Sequence, residues 1–240
     1  MFRRRHHQQV AEVLSSLDAS LLAEHNCWFG GGTAIVLANG EFRESLDIDL
    51  LVSDQQSYRQ LRQIVRDHGL GGLTTRELVL GRPPTVDVYG IRSSVLVAGA
   101  AIKFEIIHEG RIDLDNPSPG TEICGVRTLT RTDQVASKLL ANDDRWADTS
   151  TFSRDLIDLA MMKPDAVALK AGARKAVDAY GTSVGTSLDK AVAHLRDRPQ
   201  RLDACIWALK IDAPRATVWQ RIRDLSARSA KVEGLGQNWR

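Results

Sequence analysis

The sequence is poor in cysteine, lacks any long apolar run and carries no large excess of charge of either sign. Its three cysteines, Cys27, Cys124 and Cys205, lie far apart and form no C-x-x-C pair. That pattern argues against a disulfide framework and against a cysteine zinc site, and buried free thiols are expected. With 240 residues the chain is long enough to bury a core without such staples. No stretch reaches the roughly 18–20 apolar residues of a membrane span. The opening Met1-Phe2-Arg3-Arg4-Arg5-His6-His7 has the charge of a secretory leader without the apolar segment behind it. A soluble, cytoplasmic protein with no membrane partner is therefore expected. His6 and His7 sit in a polar segment without partners at metal-ligand spacing, and no metal is assigned to them.

The net charge of +2 conceals an asymmetry. Residues 1–119 hold 12 Lys+Arg against 15 Asp+Glu, and residues 120–240 hold 20 against 15, a net of +5. An acidic half joined to a mildly basic one is compatible with a polyanionic substrate, although a set of solvated helices would give the same numbers.

The chemistry-bearing stretch runs from Trp28 to Val52. Gly30-Gly31-Gly32 follows the apolar run Cys27-Trp28-Phe29, marking a strand that ends in a tight turn with close backbone approach. Thr33 to Ala38 suits a short helix, whose first amides favour an anion such as a triphosphate. In the next segment Leu46, Ile48 and Leu50 alternate with Ser45, Asp47 and Asp49, so a strand over 46–52 presents both carboxylates on one face. Alternate Cα atoms lie about 7 Å apart along a strand. Carboxylates at that spacing suit Mg²⁺ ions shared with phosphate oxygens, and Ser45 joins them as a phosphate hydrogen-bond partner.

The remaining elements follow from periodicity. Val10, Val13, Leu14 and Leu17 predict a first helix, with Asp18 capping a second. Tyr58, Leu61, Ile64 and Val65 form a stripe that starts at Ser53 or Asp54 and stops near Gly69. Strands are expected over 76–80, 86–89, 95–97 and 102–107, with Pro83-Pro84 as a break. On the last of these, Glu105 is the chosen third carboxylate beside Asp47 and Asp49, with Asp87 as the alternative. Asn116-Pro117-Ser118-Pro119-Gly120 reads as a linker between a core of residues 1–119 and a helical part of residues 120–240. Beyond it, stripes at 135–140 and 156–160 are helical, Pro164-Asp165 begins another helix, and three more are placed near 187–196, 200–210 and 214–229. Lys138 offers a point charge for phosphate, and Asp155 and Asp158 share a helix face from which a carboxylate can position that lysine or meet a nucleotide sugar.

Taken in order, Phe29-Gly30-Gly31-Gly32-Thr33-Ala34, Arg43-x-Ser45-x-Asp47-Ile48-Asp49-Leu50, Lys138 and Arg154-Asp155-Leu156-Ile157-Asp158-Leu159 resemble the AbiEii/AbiGii-type nucleotidyltransferase toxins. These form a branch of the DNA polymerase β-like superfamily that includes the mycobacterial MenT toxins, and the match spans roughly residues 27–160. The resemblance implies an α+β fold, a small mixed-sheet nucleotidyltransferase core followed by an α-helical C-terminal part. It also implies transfer of a nucleoside monophosphate from an NTP in a Mg²⁺-dependent reaction with two ions, in several relatives to the 3′ end of tRNA, and a cognate antitoxin. Carried over by motif, Gly31, Gly32 and Thr33 cradle the triphosphate, Asp47 and Asp49 hold metal, Lys138 contacts phosphate and Asp155 is the downstream acidic residue. Glu105 as third metal ligand and Asp158 at the nucleotide rest on strand and helix reading alone. Two other readings stay open: the same chemistry on a small molecule such as an aminoglycoside, and a non-catalytic member that binds nucleic acid or a partner protein.

Overall fold

Apolar spacing in the N-terminal segment produces α1 (Arg5–Leu14), whose Val10, Val13 and Leu14 are buried. Asp18 caps α2 (Ala19–Glu24) by accepting from the Ser20 and Leu21 amides, as its position predicts. The computed structural model describes residues 2–236, and the chain divides into two units. The first comprises Met1–Ala38 and Ser45–Thr130; the second comprises Asn39–Glu44 and Arg131–Arg240. The α+β architecture is the one expected, a mixed sheet followed by a run of helices.

The first unit is built on a five-stranded sheet ordered β1-β2-β5-β4-β3. Its strands are β1 (Trp28–Gly30), β2 (Ile48–Val52), β3 (Leu80–Val86), β4 (Gly90–Val97) and β5 (Ala100–His108). Only the β2/β5 pair is parallel, the other three being antiparallel. One face of this sheet is continuous with the core: Ile48, Leu50, Val52, Ile102, Phe104, Ile106, Ile91 and Val95 pack with α1 residues and with Tyr58, Leu61 and Val65 of α4 (Gln55–His68). Burying such side chains stabilises by roughly 1.5–3 kcal/mol each. The opposite face carries the alternate residues, among them Asp49, Glu105, Lys103 and Arg92. A small apolar cluster of Trp28, Leu51 and Leu129 lies apart from the main core.

The expected strands over 76–80 and 86–89 give way to the single strand β3, with residues 76–79 and 87–89 outside it, and two further details differ. β2 begins at Ile48, and Leu46 is 42% exposed, so Leu46 and Asp47 precede the ladder. Pro83-Pro84 does not interrupt a strand but lies within β3. β3 is the sheet edge and pairs with β4 through two register irregularities, and an edge strand tolerates residues that lack an N–H donor. The expected linker at 116–120 lies inside the first unit, which continues through the small hairpin of β6 (Glu122–Ile123) and β7 (Val126–Arg127).

In the second unit, α5 (Arg131–Arg145) packs on α6 (Arg154–Met161), α7 (Ala166–Tyr180) and α8 (Ser183–Arg196). Gly172 permits the α5/α7 contact, since a Cβ there would meet Thr132 O and Val135 Cβ at 2.6 Å. α9 (Pro199–Ala208) and α10 (Arg215–Ser229) complete the set. Segment 39–44 belongs to this unit: Phe42 is buried, its carbonyl accepts from the Asp212 amide at 2.7 Å, and the Glu44 amide donates to Leu209 O at 3.1 Å.

Candidate active site

Gly30 closes β1 and Gly31 opens α3 (Gly31–Ala38) with φ +67°, a left-handed conformation that favours glycine. The close approach expected of the glycines is to a carboxylate. A Cβ on Gly31 would collide with Asp49 Oδ2 and stand 2.9 Å from Asp49 Cβ. Gly30 is the register partner of Asp49 across β1/β2, which brings the strand end, the helix start and this aspartate together. The first amides of a helix have no acceptor within it, so Gly31 and Gly32, both half-buried, head a helix that suits an anion.

Thr33, buried in the first turn of α3, shares a 2.8 Å hydrogen bond with Ser45 through their hydroxyls. The Ser45 amide donates at 3.2 Å to Nε2 of His7, which is fully buried. His7 thus supports the segment that leads into Asp47 and Asp49. Its spacing with Val10 and Leu14 along α1 was the signal for a buried position that metal-ligand spacing did not reveal. Asp47 is half-buried and stands one residue ahead of β2.

Glu105 lies opposite Asp49 in the β2/β5 register, so the two carboxylates occupy neighbouring positions on one sheet face. Its oxygens are engaged by Lys103 Nζ at 2.5 Å and Arg92 Nε at 3.4 Å. The alternative carboxylate, Asp87, serves the β3/β4 turn instead. Its Oδ1 accepts from the Tyr89 and Gly90 amides, and its Oδ2 pairs with Arg92 at 2.8 Å. The Tyr89 amide, then the Gly90 amide and Arg92, hold the Asp87 carboxyl below its usual range against slight desolvation.

Among the described residues no group of three His, Cys, Asp or Glu forms a preformed metal cage. The oxygen donors do fit Mg²⁺, which takes one or two carboxylates and completes its shell with water and phosphate. The seating of Asp49 against a residue that must lack Cβ fixes one such donor, and Glu105 stands next to it.

The other predicted residues come together within the second unit. Lys138 Nζ lies 2.9 Å from Asp155 Oδ1 and 2.7 Å from Asp158 Oδ2. Arg43 grips Asp158 through Nε at 2.6 Å and a terminal nitrogen at 2.8 Å, and Arg145 grips Asp155 at 2.7 and 3.0 Å. Arg43 thus pairs with Asp158, while the Glu44 carboxylate binds Lys210 at 2.7 Å. All members except Arg145 are buried, and Asp158 is 0% exposed. Burial alone would disfavour the charged forms. Lys138 and Arg145 nevertheless hold Asp155 well below the usual carboxylate range, and Arg43 and Lys138 lower Asp158. For Lys138 the two carboxylates outweigh desolvation and raise its pKa. Asp158 is placed as a partner of two cations.

The mixed sheet thus carries Asp49 seated against Gly31, the residue that opens the helix after β1. The family model for the nucleotidyl transferase AbiEii toxin of type IV toxin–antitoxin systems matches residues 13–226, and the chain belongs to that family. It is a nucleotidyltransferase toxin of the AbiEii type. No curated protein matches the chain. Among solved structures, a candidate nucleotidyltransferase from H. pylori is similar at 12% identity and TM-score 0.53, covering 92% of this chain and 94% of the other. JHP933 from Helicobacter pylori gives 15% identity and TM-score 0.52, over 95% and 94% of the two chains. MenT4, a nucleotidyltransferase toxin from Mycobacterium tuberculosis H37Rv, gives 16% and 0.50, over 98% and 89%.

Proposed function

We propose that this chain moves a nucleoside monophosphate from an NTP to the 3′ end of tRNA in a Mg²⁺-dependent reaction in the cytoplasm, and that a cognate antitoxin restrains it. The observation that carries the reading is the Asp49 carboxylate seated against Gly31 at the start of α3. That arrangement puts an oxygen donor for metal beside helix amides suited to phosphate. Asp47, Asp49 and Glu105 would hold Mg²⁺. What the metal supplies when bound is neutralisation of charge on the acceptor oxygen and on the departing pyrophosphate. Gly31 and Gly32 let the triphosphate approach the backbone, and Thr33 and Ser45, already bonded to each other, offer hydroxyls to it. Lys138 is the phosphate-binding cation that the resemblance implies; Asp155 and Asp158 keep its ammonium charged and oriented.

The tRNA acceptor is supported by the net charge of +5 over residues 120–240, which suits a phosphate backbone and gives binding that weakens steeply with salt. The test is incubation with each α-labelled NTP, Mg²⁺ and total cellular RNA, the products being resolved by size. Label is expected in the tRNA band and is lost with Asp49→Ala. Undiminished transfer by that variant overturns the metal assignment; label confined to small molecules overturns the acceptor.

A further inference from the structure

We infer that Lys103 is a built-in counter-ion for Glu105, occupying the carboxylate until a divalent cation displaces it, and so sets the affinity of the site for metal. The inference rests on the metal reading above and concerns a residue that neither the motifs nor the resemblance assigns. Lys103 and Glu105 are alternate residues of β5 and share the sheet face that carries Asp49. The Lys103 ammonium contacts Glu105 Oε2 at 2.5 Å, so one oxygen of this carboxylate already faces a cation.

The two cations on Glu105 are not equivalent. Arg92 faces Glu105 in the β4/β5 register and is tied by a second ion pair to Asp87, whose other oxygen is fixed by two turn amides. It also stands farther from Glu105, at 3.4 Å. Lys103 has Glu105 as its sole ion-pair partner among the described residues, and its side chain is 50% exposed while that of Glu105 is 13% exposed. A flexible ammonium with one partner and open solvent beside it can leave at small cost, whereas the anchored guanidinium cannot. Lys103 is therefore a positioning residue: it neutralises Glu105 beside Asp49 in the metal-free protein and yields the oxygen on loading.

The test is direct titration of the full chain with Mn²⁺, free ion being counted by electron paramagnetic resonance with no substrate present. Lys103→Met, which keeps the stem and removes the charge, is expected to bind Mn²⁺ about two- to five-fold more tightly, the range of a half-exposed ion pair. Lys103→Arg is expected to stay near wild type. A purely structural lysine would shift thermal stability and leave Mn²⁺ affinity unmoved. Equal affinity of Lys103→Met and wild type, in a protein whose Mn²⁺ binding is lost with Asp49→Asn, overturns the inference alone. Lys103→Arg binding as tightly as Lys103→Met does the same. Absence of any Asp49-dependent Mn²⁺ binding in wild type overturns the inference together with the metal reading beneath it.

Discussion

Replacing Gly31 with alanine tests the geometry on which the site depends. The residue sits at φ +67°, where an L side chain costs roughly 1–2 kcal/mol. For a chain of this size each kcal/mol lowers the melting temperature by about 2–4 °C, so a fall of about 2–8 °C is expected from the backbone alone. The new methyl also overlaps Asp49 Oδ2 and lies 2.9 Å from Asp49 Cβ. Relief requires the carboxylate to move, and a displacement of about 1 Å in a positioning group costs on the order of 100-fold in rate. Thermal unfolding by circular dichroism and label transfer from an NTP measure the two effects separately. The Asp49→Gly background removes every atom that the methyl meets most closely, so Gly31→Ala should cost less there than in wild type, with a coupling of about 0.5–3 kcal/mol. Strictly additive costs, or a Gly31→Ala protein with wild-type transfer, would refute the proposed contact.

Other outcomes follow from the same structure. Asp158→Ala leaves Arg43 without its bidentate partner and Lys138 with one carboxylate, and breaking such a buried pair costs about 3–5 kcal/mol by urea unfolding; a loss under about 1 kcal/mol would show that the network is solvated. Asp155 and Asp158 have lowered folded-state pKa values. Their stabilising contribution is thus fully present above the unfolded value of about 3.9 and is lost as pH falls through the folded values. Lys138 has a raised value, so its contribution holds below about 10.4 and fades as pH rises through the folded value. Urea midpoints across pH should show a plateau between these limits, and the fall at its acid end should be shallower in Asp155→Asn, which has one depressed carboxylate fewer to protonate. Chelation with EDTA should stop transfer, and excess Mg²⁺ should restore it; transfer that persists in EDTA counts against the carboxylate set.

The fold was legible wherever burial follows period. Ile48, Leu50 and Val52 alternate because one sheet face packs on the core, and Asp18 and Asp54 announce their helices by capping them. Leu46 continues that alternation in sequence, yet it precedes the first ladder pair and faces solvent. Periodicity cannot tell where hydrogen bonding begins. Pro83-Pro84 reads as a break because a central strand would need those donors; an edge strand does not. α7 was marked only by its start, since its buried face is Ala168, Leu169, Gly172, Ala173 and Ala176, small residues with a faint apolar signal. In the site, Asp49 and Glu105 were placed by strand phase, and the register puts them side by side. The Arg43–Asp158 pair spans 115 positions, and no local pattern links residues so far apart.

The short strap from Asn39 to Glu44 has a consequence for how the gene can be cut. Both of its flanks belong to the sheet unit while its own six residues belong to the helical one, so the polypeptide changes unit three times. A fragment starting at Arg131 would contain Asp158 without the arginine that neutralises it, and a fragment ending at Thr130 would carry that arginine without the carboxylate it grips. The halves are separable on paper by drawing a line after residue 130, but in the test tube neither piece would hold the full complement of charges on which the helical unit relies.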